Sequence, residues 1–134
     1  MSQLSLAGTA TYQLAPDADP DRDCWTTPRW LTDLLPHANV DPASNPRSTV
    51  RADRSYMLET GENGLELPWV GIVWCNPPYS APTAWCRKWA QHPDGFLLIR
   101  ADLSTSGPFA ATSAASSLYV PAKRIQFVNG QGGG

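Results

Sequence analysis

Val70-Gly71-Ile72-Val73-Trp74-Cys75 runs directly into Asn76-Pro77-Pro78-Tyr79, and the segment from Pro82 to Gln91 follows. A continuous apolar run rich in β-branched residues is the pattern of a strand buried on both faces, as in a parallel sheet. The two prolines end it, because neither can donate to a strand ladder. Over Pro82 to Gln91, Trp85 and Trp89 stand at i, i+4 spacing on one face, which predicts a helix packed against the sheet. Strand, tight loop and helix in this order form one unit of an α/β fold.

Working outward, Thr27-Pro28 predicts a helix through Leu35, with Thr26 or Thr27 as its cap, stopped by Pro36. Ala38-Asn39-Val40 reads as a short strand leading to Asp41-Pro42. Asn45 to Arg54 reads as helical, and Tyr56-Met57-Leu58 as another short strand. Downstream, Phe96-Leu97-Leu98-Ile99 is a second buried strand, and Leu118-Tyr119-Val120 and Ile125-Gln126-Phe127-Val128 read as late strands. The alternation predicts a mostly parallel sheet flanked by helices. Ligands of such sheets bind at the carboxyl ends of the strands. Asp41 and Asn76 each follow an apolar strand, so both are expected at the same rim.

The 134 residues suit one domain, with 1–20 as a flexible lead-in, 21–129 as the domain and 130–134 as a glycine-rich tail. Hydrophobic residues make up 42% and charged residues 16%, which supports a packed core and excludes general disorder. Thirteen prolines and ten glycines cut the chain into short elements and argue against a helical bundle. No apolar run is long enough to span a membrane. Met1 to Ala10 has no basic region ahead of an apolar stretch, so a cytoplasmic location is expected. Cys24, Cys75 and Cys86 form no C-x-x-C pair, which fits free, buried thiols in a reducing compartment. The net charge of −2 does not advertise nucleic-acid binding, so a DNA substrate demands a local basic face. Arg47, Arg51 and Arg54 would supply one if they lie on a helix; the alternative is an ordinary solvated surface.

Asn76-Pro77-Pro78-Tyr79 carries the chemistry. In this composition the string arises by chance on the order of once in a thousand such chains, so its place between a strand and a helix is informative. An exocyclic amine on a purine is a poor nucleophile, because its lone pair is delocalised into the ring. Accepting hydrogen bonds from both amine hydrogens favours a pyramidal nitrogen. The Asn76 side-chain oxygen is one such acceptor. The Pro77 carbonyl is the second, aimed by the locked φ angles of Pro77-Pro78. Tyr79 offers its ring to the face of a base flipped out of the duplex. Neither a metal nor a covalent intermediate is needed. The structural alternative is a proline-rich turn with a surface tyrosine.

These residues resemble the phage-encoded, Dam-type DNA N-6-adenine methyltransferases. The likeness runs from about Trp25 to Val128. It rests on Trp25-Thr26-Thr27-Pro28, Asp41-Pro42-Ala43-Ser44, Glu62-Asn63-Gly64-Leu65, Trp69, Trp74-Cys75-Asn76-Pro77-Pro78-Tyr79-Ser80 and Lys123-Arg124-Ile125-Gln126-Phe127. The resemblance implies a Rossmann-like methyltransferase fold, S-adenosyl-L-methionine as donor and double-stranded DNA as substrate. It implies that Thr27-Pro28 meets the methionine end of the donor, that Asp41 accepts from its ammonium group, and that Trp25, Thr26, Ala43 and Ser44 also belong to the donor site. Glu62 and Asn63 fall where an acidic residue binds the ribose or the adenine amine. For Asp41 an Asx-Pro turn remains the alternative.

Two features depart from the pattern. The first-strand turn has no glycine-rich loop, and the chain reaches its glycine tail where relatives continue into a further strand. A sheet truncated at the C-terminal strand is therefore expected. No separate target-recognition domain fits this length, so relaxed sequence specificity is expected, supplemented by a homodimer. The same acceptor geometry also serves cytosine N4 or a protein glutamine, and a non-catalytic relative that binds without turnover is a further alternative.

Overall fold

The computed structural model describes residues 26–92 and 94–128; Cys24, Trp25, the 1–20 lead-in and the 130–134 tail lie outside these. Four strands, β1 (Ala38–Ser44), β2 (Ala52–Met57), β3 (Val73–Cys75) and β4 (Gly95–Leu97), form one sheet in the order β2-β1-β3-β4. Every pairing is parallel. Helices α1 (Arg29–Thr32), α2 (Thr83–Gln91) and α3 (Ser106–Ala114) flank it. The expected α/β architecture is present. The chain leaves β1 toward β2 and returns to β3 on the opposite side, so the order reverses between β1 and β3. That is the switch point at which open parallel sheets leave a crevice.

Side chains alternate across the sheet and sort its two faces. Val40, Val73 and Cys75 are fully buried beneath Trp85, Cys86 and Trp89 of α2 and Ala111 of α3. The helix predicted from the Trp85/Trp89 spacing is thus the core helix, and its tryptophans pack as expected. α3 comes close behind it: a Cβ on Gly107 would lie 2.7 Å from the Thr83 backbone. Trp74, between Val73 and Cys75, belongs to the other face and is also buried.

Lys88 of α2 is committed to the fold rather than to solvent. Its Nζ donates to the carbonyls of Leu65 (2.7 Å), Leu67 (2.9 Å) and Gly64 (3.3 Å), and stands 5.1 Å from the centre of the Trp69 ring. Partial burial lowers its pKa. Lys88→Met strands the Leu65 and Leu67 carbonyls, while Gly64 O keeps the Trp69 indole N–H at 2.8 Å. It is expected to cost about 2–3 kcal/mol, as for charged hydrogen bonds, read from urea unfolding midpoints.

Several expected elements differ. Asn45 to Arg54 is not helical: a turn at Pro46-Arg47 and an extended segment lead into β2. Geometry explains this. Ala38 pairs with Ala52 and Ser44 with Met57, so residues 45–51 must return the chain along the full length of β1. That is about 20 Å at strand rise, whereas the same residues coiled as a helix span about 10 Å. The arginines therefore share no helical face: Arg51 lines a cavity beside α1, and Arg54 lies over the Tyr56 ring and pairs with Glu62.

β1 is longer than expected and runs through Asp41-Pro42. Pro42 cannot donate to a ladder, and the register with β2 shifts between Asp41 and Ser44, where β1 also leaves β3. β3 is shorter than Val70–Cys75. Gly71 has φ +64°, and the Ile72 amide donates to the Asn39 side chain. α1 is a single turn capped by Pro28, not by a threonine side chain; the Thr27 carbonyl accepts from the Thr49 hydroxyl instead. Leu118–Val120 is exposed and forms no strand, and of Ile125–Val128 only Val128 bridges, antiparallel to Thr26. An apolar pattern specifies burial, not a ladder partner.

Candidate active site

The loops after β1 and β3 and the Thr26-Thr27 segment ahead of α1 enclose a cleft at the carboxyl end of the sheet. Asp41, Asn76, Pro77 and Tyr79 line it together with Thr26, Thr27 and Ala43. Two segments far apart in sequence, each predicted to reach this rim, do meet there.

Asn76 follows β3 immediately. Its Nδ2 donates to Thr27 Oγ1 at 3.3 Å, which fixes the amide plane, and its Oδ1 is buried without a hydrogen-bond partner. A buried unpaired carbonyl oxygen carries a desolvation cost that a ligand donor can relieve. Beyond it the chain turns tightly, with Ala81 N–H donating to the Pro78 carbonyl at 3.3 Å. That turn uses Pro78 as its acceptor, not Pro77, whose residue lines the cleft.

Tyr79 is half-buried and meets Phe127 edge to face, with centroids 5.8 Å apart. Phe127 is brought there by the antiparallel bridge in which Thr26 N donates to Val128 O (2.7 Å) and Val128 N to Thr26 O (3.0 Å). Burial pushes the Tyr79 hydroxyl up to about 12, against the pull of Arg100 and Arg124, so it stays protonated.

Asp41 is 2% exposed, and burial raises its carboxyl from 3.8 to about 7. The hydroxyls of Ser44 and Ser48 and the Ala43 amide, 3.3 Å from Oδ1, oppose that rise and do not cancel it. The i to i+2 contact with Ala43 is an Asx-type turn. Asp41 closes its own turn and also lines the cleft. Thr26 Oγ1 is a second buried polar atom without a partner.

Other expected residues fall elsewhere. Ser44 reaches Asp41 but not the cleft wall, and Pro28 is buried beneath α1 without lining it. Glu62 accepts from Met57 N at 3.0 Å and pairs with Arg54, closing the end of β2. Asn63 bonds Leu65 N and Glu66. Neither Glu62 nor Asn63 enters the cleft. Trp25 lies outside the described residues. Conversely, Asn45, Ser48, Val50 and Trp74 line the cleft unforeseen. The signal for the first three was the length of chain needed to return from β1 to β2, and for Trp74 its alternation with Val73 and Cys75.

The cleft is narrow, with about 20 Å³ free, room for one water molecule. A larger cavity of about 340 Å³ lies beside α1 and shares Val50 and Trp74 with it. Thr26, Asn76 and Asp41 all line the smaller one, which is therefore the candidate site. Among the described residues no cluster of side chains suits a metal ion, and no helix is long and apolar enough to cross a membrane.

No curated protein and no solved structure matches the chain. The family model described as DNA N-6-adenine-methyltransferase (Dam) matches residues 15–134, which include β1 to β4, the Asp41 turn and the Asn-Pro-Pro-Tyr loop. With a parallel sheet and a polar cleft at its carboxyl rim inside that match, the chain belongs to the DNA N-6-adenine-methyltransferase (Dam) family.

Proposed function

We propose that this protein transfers a methyl group from S-adenosyl-L-methionine to the N6 amine of adenine in double-stranded DNA. The observation that carries the reading is the Asn76 oxygen, buried, unpaired and held by Thr27 in the same cleft as the Asp41 carboxylate.

The residues present fit the donor chemically. Asp41 is an acceptor for an ammonium group, and the unpaired Thr26 hydroxyl and Thr27 suit a carboxylate, with Ala43 beside them. When bound, the donor supplies an electrophilic methyl group on a sulfonium. Glu62, at the end of β2, lies outside the cleft and already accepts from Met57 N and Arg54, so the ribose hydroxyls are not assigned to it. With about 20 Å³ free, the cleft must widen to admit a nucleoside-sized molecule.

On the substrate side, Asn76 Oδ1 and the Pro77 carbonyl accept from the two N6 hydrogens and sharpen the nitrogen lone pair. The Tyr79 ring, braced by Phe127, stacks on the extruded purine and offsets part of the unstacking cost. Positioning and electrostatics carry the rate.

The test is incubation with tritiated S-adenosyl-L-methionine and unmethylated duplex DNA, followed by digestion to nucleosides. Label in N6-methyladenine is expected. Label in N4-methylcytosine keeps the acceptor geometry and changes the base. Absence of label, with donor binding still seen by calorimetry, replaces the enzyme reading with a non-catalytic binding protein.

A further inference from the structure

The geometry points to Arg100 and Arg124 as the two arms of a clamp for the DNA phosphates flanking the nucleotide delivered to Tyr79. This rests on the proposed function and extends it to how a chain of net charge −2 holds a polyanion. Affinity for duplex DNA comes largely from phosphate neutralisation, so with no overall positive charge it must be concentrated locally.

The backbone brings the segments that carry both arginines toward the Asn-Pro-Pro-Tyr loop. Leu98 N donates to Cys75 O at 2.9 Å, extending the β3–β4 ladder to the point where Asn76 begins. Arg100 therefore leaves β4 at the same rim as Asn-Pro-Pro-Tyr. From the other end of the chain, the Thr26–Val128 bridge pins the terminal segment and sets Phe127 against Tyr79, with Lys123 and Arg124 just before it. The two guanidiniums thus come from separate segments, and both act on the Tyr79 hydroxyl through space.

Three of the other basic side chains are engaged within the fold, and exposed Arg29 and Arg51 lie on segments away from the Asn-Pro-Pro-Tyr loop. Arg54 pairs with Glu62, Arg87 donates to Ser106 at 3.0 Å, and Lys88 holds three carbonyls. Arg100 and Arg124 are exposed, and neither makes an ion pair among the described residues. The nearest acid in sequence, Asp102, accepts from Ser104. Guanidinium is the side chain suited to this work: planar, permanently charged, and matched to two phosphate oxygens at once. Base flipping strains the backbone around the extruded nucleotide, where cations beside Tyr79 can hold its phosphates.

The measurement is fluorescence anisotropy with a labelled unmethylated duplex over a range of salt concentrations. For the wild type, Arg100→Gln, Arg124→Gln and the double variant, the logarithm of the association constant is plotted against the logarithm of salt. Each arginine removed is expected to flatten the slope by about 0.9, and the pair by about 1.8. Arg124→Lys keeps the charge and the wild-type slope, and Arg87→Gln, on the helical layer, leaves it unchanged. Since both arginines are exposed, thermal melting should confirm intact folding in each. A double variant with the wild-type slope, or a wild type with no duplex affinity, overturns the clamp. A wild type that methylates DNA while the variants keep its slope sinks the clamp alone; altered slopes without methyl transfer sink the enzyme reading alone.

Discussion

Asn76→Ala is expected to lower kcat/KM for methyl transfer by on the order of 10²–10³-fold, with kcat falling in step and KM for DNA little changed. The size is that of removing one preorganised hydrogen-bonding group from a site of developing charge. The split follows from timing: an interaction that strengthens as the nitrogen pyramidalises stabilises the transition state, not the ground state. The fold should tolerate the change. Asn76 Oδ1 has no partner to lose, and Nδ2 gives up only a 3.3 Å contact to Thr27. Unfolding free energy should therefore move by less than about 1 kcal/mol. Asn76→Asp keeps an acceptor in the same place, loses the anchoring donor, and is expected to retain more activity than alanine. An alanine variant with wild-type turnover removes Asn76 from the acceptor role. Equal losses in both variants make it a residue that holds Thr27.

Why Asn76 was legible in the sequence, and other residues of the cleft were not, has a physical basis. Strand, proline turn and helix around it are each specified locally: β-branched apolar residues, two locked φ angles and a tryptophan pair at helical spacing. Those signals survived tertiary context, and β3, α2 and the rim position of Asn76 and Asp41 all followed. What failed was information held by pairing. Residues 45–54 have a pattern compatible with a helix, but the parallel register of β1 and β2 leaves too little chain for one. The same return path delivers Asn45, Ser48 and Val50 to the cleft. Leu118–Val120 has the apolar character of a strand and no strand beside it. The basic residues reversed in the same way. The helical period that groups Arg47, Arg51 and Arg54 does not exist, whereas Arg100 follows β4 and Arg124 precedes Phe127, on two different segments that reach the Tyr79 loop.

Asp41→Asn is expected to make the protein more stable at neutral pH and unable to hold its donor well. Burial lifts the folded-state carboxyl from 3.8 to about 7. Between those two values the folded chain keeps a proton that the unfolded chain releases. Stability is therefore greatest below pH 3.8 as far as this group is concerned, declines as pH rises toward 7, and is level above it. A rise from 3.8 to about 7 corresponds to about 4 kcal/mol. Asparagine cannot ionise, and its side-chain oxygen still accepts from the Ala43 amide. At pH 8 the variant should exceed the wild type by up to about 4 kcal/mol in denaturant unfolding, and by little near pH 4. The same neutrality removes the charge that would meet an ammonium group, so donor affinity is expected to fall on the order of 10–100-fold, the worth of a charged hydrogen bond. Binding near pH 7 adds a second signature. A cation arriving at a carboxyl that is partly protonated expels a proton, so the wild-type calorimetric enthalpy should vary with the ionisation enthalpy of the buffer. In the variant that dependence should vanish. A variant less stable than the wild type at both pH values would show that the Asp41 carboxylate is not the strained group its burial implies. Unchanged donor affinity would move ammonium recognition away from β1.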